Sequence, residues 1–294
     1  MEDIYSNEES NKRPIATRVY IKIGGINLKK SSTKLLLQYI LWTFLITYCS
    51  WGILILASQM GRLELRTPLG MLLLTIGGSG PPLAAYFILR HYRKISGFKP
   101  FIKEAFAVKQ PLMAYIIVFI FTTAYFGIPA LLGGSTSNSP IYMAVLSIPI
   151  MIIGGGLEEL GWRYILQPML EKKIGFFRAV LVTSVIWAVW HIPLFFIKGT
   201  SQYNWNFGLF TLMVIGLSFA LAVIYRLSKS IWLCILFHSL INAFSASWVM
   251  DERLFIKLVT TIGIITIALV LLFIQRGKAK HILDIMENTK KVMR

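Results

Sequence analysis

Long apolar runs separated by short polar or basic stretches make up nearly the whole chain. They cover 36–58, 68–89, 111–132, 140–157, 179–197, 206–225, 230–249 and 254–274. Crossing the hydrocarbon core takes about 20 mostly apolar residues in a helix, so the pattern predicts an all-α fold, a polytopic membrane helix bundle of about eight transmembrane helices. Short linkers make most neighbours antiparallel and leave no room for a second globular domain. The expected division is a basic segment at 1–34, a membrane domain at 35–275 whose polar motifs fall in 140–250, and a basic tail at 276–294. Within the second run, Gly77-Gly78-Ser79-Gly80-Pro81-Pro82 predicts a kinked helix with a close backbone approach. The same residues spell GxSG, which makes Ser79 a candidate nucleophile, but the adjacent prolines and small residues fit a packing kink better.

Composition agrees with the pattern: 56% of the 294 residues are hydrophobic and 15% charged, against about 25% charged in soluble domains. The net charge of +17 would suggest nucleic acid in a soluble protein, yet its distribution points to topology. With the N-terminus inside, 25 of the 30 Lys and Arg residues fall in cytoplasmic segments, the bias that sets orientation in membranes. This predicts an integral, multi-pass protein of the plasma membrane with both termini cytoplasmic. Its expected partners are membrane lipids, and nucleic acid is not among them. Anionic headgroups near the basic face contribute about 1 kcal/mol per residue. The opening residues lack the order of a cleavable signal peptide. Cys49 and Cys234 lie inside apolar runs and read as small hydrophobes.

Ionisable residues at membrane depth are functional candidates because their insertion costs about 2.5 to 3.5 kcal/mol. Aspartate occurs only at 3, 251 and 284, outside the runs, so a paired-aspartate protease is excluded. Glu158 and Glu159 directly follow the fourth run, and Arg163 stands four residues after Glu159, which stacks acid and base on one helical face. Glu158, about 100° away around the helix, is left to face another partner. His191 and His238 are embedded in apolar sequence, and Asn242 shares a helical face with His238. Counted from ends near Leu166 and Ser230, Glu158 and His238 are each about eight residues, or 12 Å, deep. His191, about twelve residues into its run, is somewhat deeper. Three spans are thus expected to converge on one cytoplasm-facing cavity. Glu159 with Arg163 reads as a structural pair at a helix end, and Trp187, Trp190, Phe195 and Phe196 read as packing or interfacial residues. Two histidines with an asparagine and an unpaired glutamate read as a functional set.

Glu158-Glu159-Leu160-Gly161-Trp162-Arg163 fits EExxxR, Trp187 to His191 fits an aromatic-xxx-His motif, and His238 to Asn242 fits HxxxN. In this order, on separate spans, the motifs resemble those of the CPBP family, the type II CAAX prenyl endopeptidases and their bacterial Abi relatives. The resemblance implies an intramembrane endopeptidase acting on a peptide or protein substrate that is prenylated, leader-like or otherwise membrane-associated. By the same resemblance, Glu158 activates a water, His191 assists it, and His238 and Asn242 stabilise the oxyanion, while Glu159 and Arg163 support them. Relatives have also been described as metalloproteases, so Glu158, His191 and His238 could in principle hold Zn. The metal-independent glutamate mechanism, with no cofactor, is the favoured expectation, and HExxH is absent. Trp187 stands where phenylalanine is common, a change expected to alter pocket shape and leave the chemistry. Two non-catalytic readings remain: a proton-relay or transport protein, and a bacteriocin-immunity factor that acts by binding.

Overall fold

The computed structural model describes residues 28–292 apart from 138, with side chains described for 33–134, 137, 139–248 and 251–277. Most of the expected basic segment at 1–34 and the side chains of the basic tail lie outside that set. Eleven helices of eight or more residues are described: α1 Leu28–Gln59, α2 Pro68–Gly78, α3 Gly80–His91, α4 Phe98–Ala105, α5 Leu112–Leu131, α6 Ile141–Ile153, α7 Gln167–Ile174, α8 Phe176–Trp190, α9 Phe207–Ser228, α10 Ile231–Ser247 and α11 Leu254–Val292. Between α6 and α7 the chain passes through a 3₁₀ turn at Gly156–Glu158, one α-turn at Glu159–Gly161 and a π segment at Trp162–Leu166.

Every expected span coincides with a helical segment, but the count of uniform crossings is lower than eight. Six helices among the described residues are long and apolar enough to cross a membrane, and α2 with α3, bent by 49°, makes a seventh. The remaining segment, α10, has 17 residues, a length of about 25 Å. It is an inner helix, with Leu233, Cys234, Ile235, Phe237 and Ala243 fully buried.

The bend in the second span follows from its sequence, since Pro81 and Pro82 lack the N–H groups that would continue the helix. Polar groups freed at depth in a membrane must find partners inside the protein. Here α1 supplies one: Thr47 Oγ1 donates at 2.7 Å to the Gly77 carbonyl, whose i+4 donor is lost at Pro81, while Ser50 Oγ donates to Leu73 at 2.7 Å and Trp51 Nε1 to Leu74 at 3.0 Å along the same face of α2. Ser79 is spent locally, donating through Oγ to the Thr75 carbonyl. The kink reading therefore holds, and no histidine partners Ser79 among the described residues.

Three glycines, Gly154 to Gly156, break the fourth span and let α10 close on it. A Cβ on Gly156 would stand 2.9 Å from the Ile235 carbonyl oxygen and collide with Ser239 Oγ. Gly175, at φ +77°, makes the turn from α7 into α8, a conformation that favours glycine. At the other end of the bundle, the linker expected at 133–139 forms a strand. Its β1 Ser135–Ser137 pairs antiparallel with β2 Trp248–Met250, with Ser137 opposite Trp248. Just beyond, the Arg253 backbone N–H, and with it the guanidinium, hold the Asp251 carboxyl below its usual range.

Close packing at Gly161 is the most exposed weakness of this design. A Cβ there would meet the Tyr39 hydroxyl and lie 2.8 Å from Pro81 Cβ. Gly161→Ala is expected to destabilise the protein by about 1 to 3 kcal/mol through overpacking. Gly52→Ala, where nothing lies within 4 Å, should be stabilising by up to about 1 kcal/mol through helix propensity. Thermal unfolding in detergent of both variants measures the contrast.

Candidate active site

The residues singled out in the sequence come together around one indole. Trp187, on the last turn of α8, donates through Nε1 to Glu158 Oε2 at 3.0 Å. Its ring stands edge-on to His238, with centroids 5.3 Å apart, and to His191 at 5.7 Å. Trp162, one turn after Glu158, donates to the same Oε2 at 3.1 Å. Two indole donors thus fix one oxygen of Glu158, while Oε1 makes no hydrogen bond among the described residues. The carboxylate is 6% exposed.

Glu159 serves two partners. Oε1 accepts from His238 Nδ1 at 2.9 Å and Oε2 lies 3.5 Å from Arg163 Nε, with Glu159 and Arg163 both fully buried. The sequence predicted the Arg163 pair but placed it at a helix end. The helical path instead runs on through the π segment to Ile174, so the pair sits inside the bundle. The charge count misled there, because it placed Arg163 among the cytoplasmic bases and Arg163 is core. Glu158 is accordingly 16 residues from Ile174, not eight from Leu166, and matches His191, 15 residues after Phe176.

His191 caps α8, where Pro193 starts a 3₁₀ turn at Ile192–Phe196. Its Nδ1 meets the Trp187 carbonyl oxygen at 2.8 Å. A carbonyl only accepts, so Nδ1 carries the proton and Nε2 presents a lone pair. The ring is held edge-on by Trp190 at 4.7 Å and Phe210 at 5.1 Å, and Trp190 is anchored through Nε1 to Thr47 Oγ1 at 2.7 Å. The kinked second span and α1 thereby reach the site. Asn242 lies one turn after His238, and Gly155 packs against both: a Cβ on Gly155 would collide with Asn242 Nδ2 and stand 3.4 Å from His238 Nε2. The Asn242 amide makes no hydrogen bond among the described residues.

The convergence of three spans expected from sequence is therefore present, and the site is closed. His191 and His238 are 8% and 6% exposed. A cavity of about 560 Å³ is lined by Ser58, Gln59, Phe195, Phe196, Lys198 and Tyr203, and one of about 310 Å³ by residues of 103–109, not by the site residues. Among the described residues no three His, Cys, Asp or Glu side chains are placed to hold a metal ion. The Nδ1 atoms of the two histidines face a carbonyl and a carboxylate and Glu158 Oε2 faces two N–H donors, which leaves both Nε2 atoms and Oε1 as the remaining donor atoms.

Two donors to Glu158 were not anticipated. Trp162 had a readable signal, the i to i+4 spacing from Glu158. Trp187, read as packing, had none, because it arrives from 29 residues away across the α7–α8 hairpin.

Residues 139–244 match the family model for type II CAAX prenyl endopeptidase Rce1-like proteins. That stretch holds Glu158, Glu159, Arg163, His191, His238 and Asn242 in the order and on the spans just described. Over that stretch the chain is similar to the type II CAAX prenyl endopeptidases. It is similar to the CAAX prenyl protease 2 of Methanococcus maripaludis, 27% identical over 197 residues that cover 58% of this chain and 70% of that relative. The family model and the relative together support a protease, an intramembrane endopeptidase.

The tryptophan at 187 gives the site a donor that a phenylalanine would lack. Trp187→Phe keeps the ring beside both histidines and deletes the N–H to Glu158. A hydrogen bond to a charged group is worth about 1.5 to 3 kcal/mol, so peptidase turnover should fall about ten- to a hundredfold. Unchanged turnover in steady-state assays would show that Trp162 alone holds the carboxylate.

Proposed function

We propose that the protein cleaves a peptide bond of a membrane-associated substrate, prenylated CAAX-type or leader-like, by a glutamate-activated water and without a metal. The observation that carries the reading is the arrangement of Glu158. One carboxylate oxygen is immobilised by two indole N–H groups, and the other, without a hydrogen bond among the described residues, is left to take a proton. Glu158 removes a proton from water as the oxygen attacks the scissile carbonyl carbon, and returns it to the departing amine. His191, with its proton fixed on Nδ1, offers Nε2 as an acceptor that orients the same water.

The developing oxyanion needs donors aimed at it. Asn242 Nδ2 and His238 Nε2, which border Gly155 together, are the pair proposed for this role. To donate through Nε2 as well as Nδ1, His238 carries a second proton, a charge that the Glu159 carboxylate at 2.9 Å balances. Glu159 and Arg163 act as positioning residues. The relative's name, CAAX prenyl protease 2, supports a lipidated peptide as the first substrate to try.

Purified protein in detergent, given a farnesylated CAAX peptide alongside a library of membrane peptides, should cleave at one bond. Glu158→Ala or His191→Ala should reduce turnover by about 10² to 10⁴, the range of general acid–base contributions. Asn242→Ala should reduce it by about 10² to 10³, the loss of one oxyanion donor. Chelator treatment should leave the rate unchanged, and a chelator-sensitive rate restored by zinc would overturn the metal-independent mechanism. Full biological activity in both Glu158→Ala and His191→Ala would remove the catalytic assignment.

We also propose that the C-terminus and the 90–110 segment face the cytoplasm, in the plasma membrane. With Arg163 counted inside the bundle, 24 of the other 29 bases lie on that side. A C-terminal fusion to a reporter active only in the cytoplasm should be active, and its activity only when exported would reverse the orientation.

A further inference from the structure

On the side of the Gly175 turn lies a set of buried polar atoms whose hydrogen-bonding capacity the proposed chemistry leaves unspent. Arg163 is fully buried, yet its guanidinium makes one hydrogen bond, from Nη2 to Ser218 Oγ at 3.3 Å, besides the 3.5 Å approach to Glu159. Its Nε and Nη1, both polar atoms of the Gln167 amide, Thr183 Oγ1 and Glu159 Oε2 are buried without a hydrogen-bond partner among the described residues. Gln167 is 2% exposed and Thr183 0%.

The hairpin places these groups on facing strips. The α7–α8 hairpin folds at Gly175, and Arg163 and Trp187 stand twelve residues to either side of it. The guanidinium carbon of Arg163 lies 5.3 Å from the centroid of the Trp187 ring, in keeping with that register. Gln167 and Thr183 stand eight residues to either side, one turn nearer the hairpin. Glu159, Arg163 and Gln167 follow at four-residue steps along one strip of the broken span.

Buried polar groups in native proteins are paired with protein or with ordered water. The identity of the missing partner follows from the mixture. Arg163 offers only donors, Glu159 Oε2 only accepts, and Gln167 and Thr183 each offer both. An anion would satisfy the donors alone and a cation the acceptors alone. Only a molecule that donates and accepts at once serves the whole set.

We infer that Arg163, Gln167, Thr183 and Glu159 bind a short file of water molecules inside the bundle, leading from the hairpin side toward the active site. For a hydrolase closed off by lipid and by its own side chains, such a file is a store from which the reacting water is replaced. Water binding by these residues is independent of the proposed function, and the supply role rests on it.

The test begins with an experimental structure of the full chain in lipid nanodiscs at a resolution that shows ordered water. Density within hydrogen-bond reach of Gln167, Thr183 and Arg163 is expected in the protein and should be lost from Gln167→Met/Thr183→Val, whose side chains keep the volume. Direct contact between the Gln167 amide and Thr183 or Arg163, with no water between them, would overturn the inference. The single variant Thr183→Val gives the same reading should the double variant not fold.

Supply is tested separately. Removal of the file should lower kcat by about tenfold, the worth of about one net hydrogen bond, with KM unchanged. Unaltered kcat in a variant shown to be dry would overturn the supply role and leave water binding in place. If the protein cleaves no peptide at all, the structural arm still decides whether water is bound.

Discussion

Everything in the site depends on balancing a buried carboxylate. Glu159 lies at membrane depth with no exposure, and it stands between Arg163 at 3.5 Å and His238 at 2.9 Å. A charge withdrawn from water needs such partners to persist. In finding them Glu159 ties the broken fourth span to α10, and it fixes the ring of His238 so that Nε2 turns toward Gly155. Glu158, next in sequence, is thereby freed of Arg163 and left to the two indoles. Adjacent glutamates acquire different tasks because the helix points them about 100° apart.

The second constraint is the satisfaction of backbone groups where helices break. A uniform helix would spare the bundle this problem, but it would also exclude a site. The α2–α3 bend is held by Thr47, Ser50 and Trp51 of α1. Thr47 in turn accepts from Trp190, whose neighbour in sequence is His191. The glycine break before Glu158 works in the opposite sense, since removal of side chains at Gly155 and Gly156 lets His238, Ser239 and Asn242 approach. Polar side chains on one span and missing side chains on another bring Glu158, His191 and His238 around the Trp187 ring.

The α7–α8 hairpin makes the position of the site intelligible. Its turn at Gly175 sets Glu158 and His191 at equal depth, and it aligns Trp187 with Arg163. Tryptophan at 187 thus touches both histidines, Glu158 and the arginine directly, and Glu159 through its partners. A residue that reads as packing in the sequence is the element around which the others are arranged.

The sequence by itself determined the all-helical membrane architecture, since eight apolar runs of near-spanning length allow little else in lipid. It also determined the kink at Pro81 and Pro82 and the choice of Glu158, Glu159, Arg163, His191, His238 and Asn242, because ionisable residues inside apolar runs stand out through the energy they cost. The Glu159–Arg163 pair was legible for the same local reason, four residues on one helix. Only the tertiary structure decided that this pair is core, that Glu159 also holds His238, and that Trp187 donates to Glu158. It alone decided that α10 is a short inner helix and that 135–137 pairs with 248–250. Those outcomes join residues 29, 79 or more than 100 positions apart, and local periodicity carries no record of which distant faces will meet.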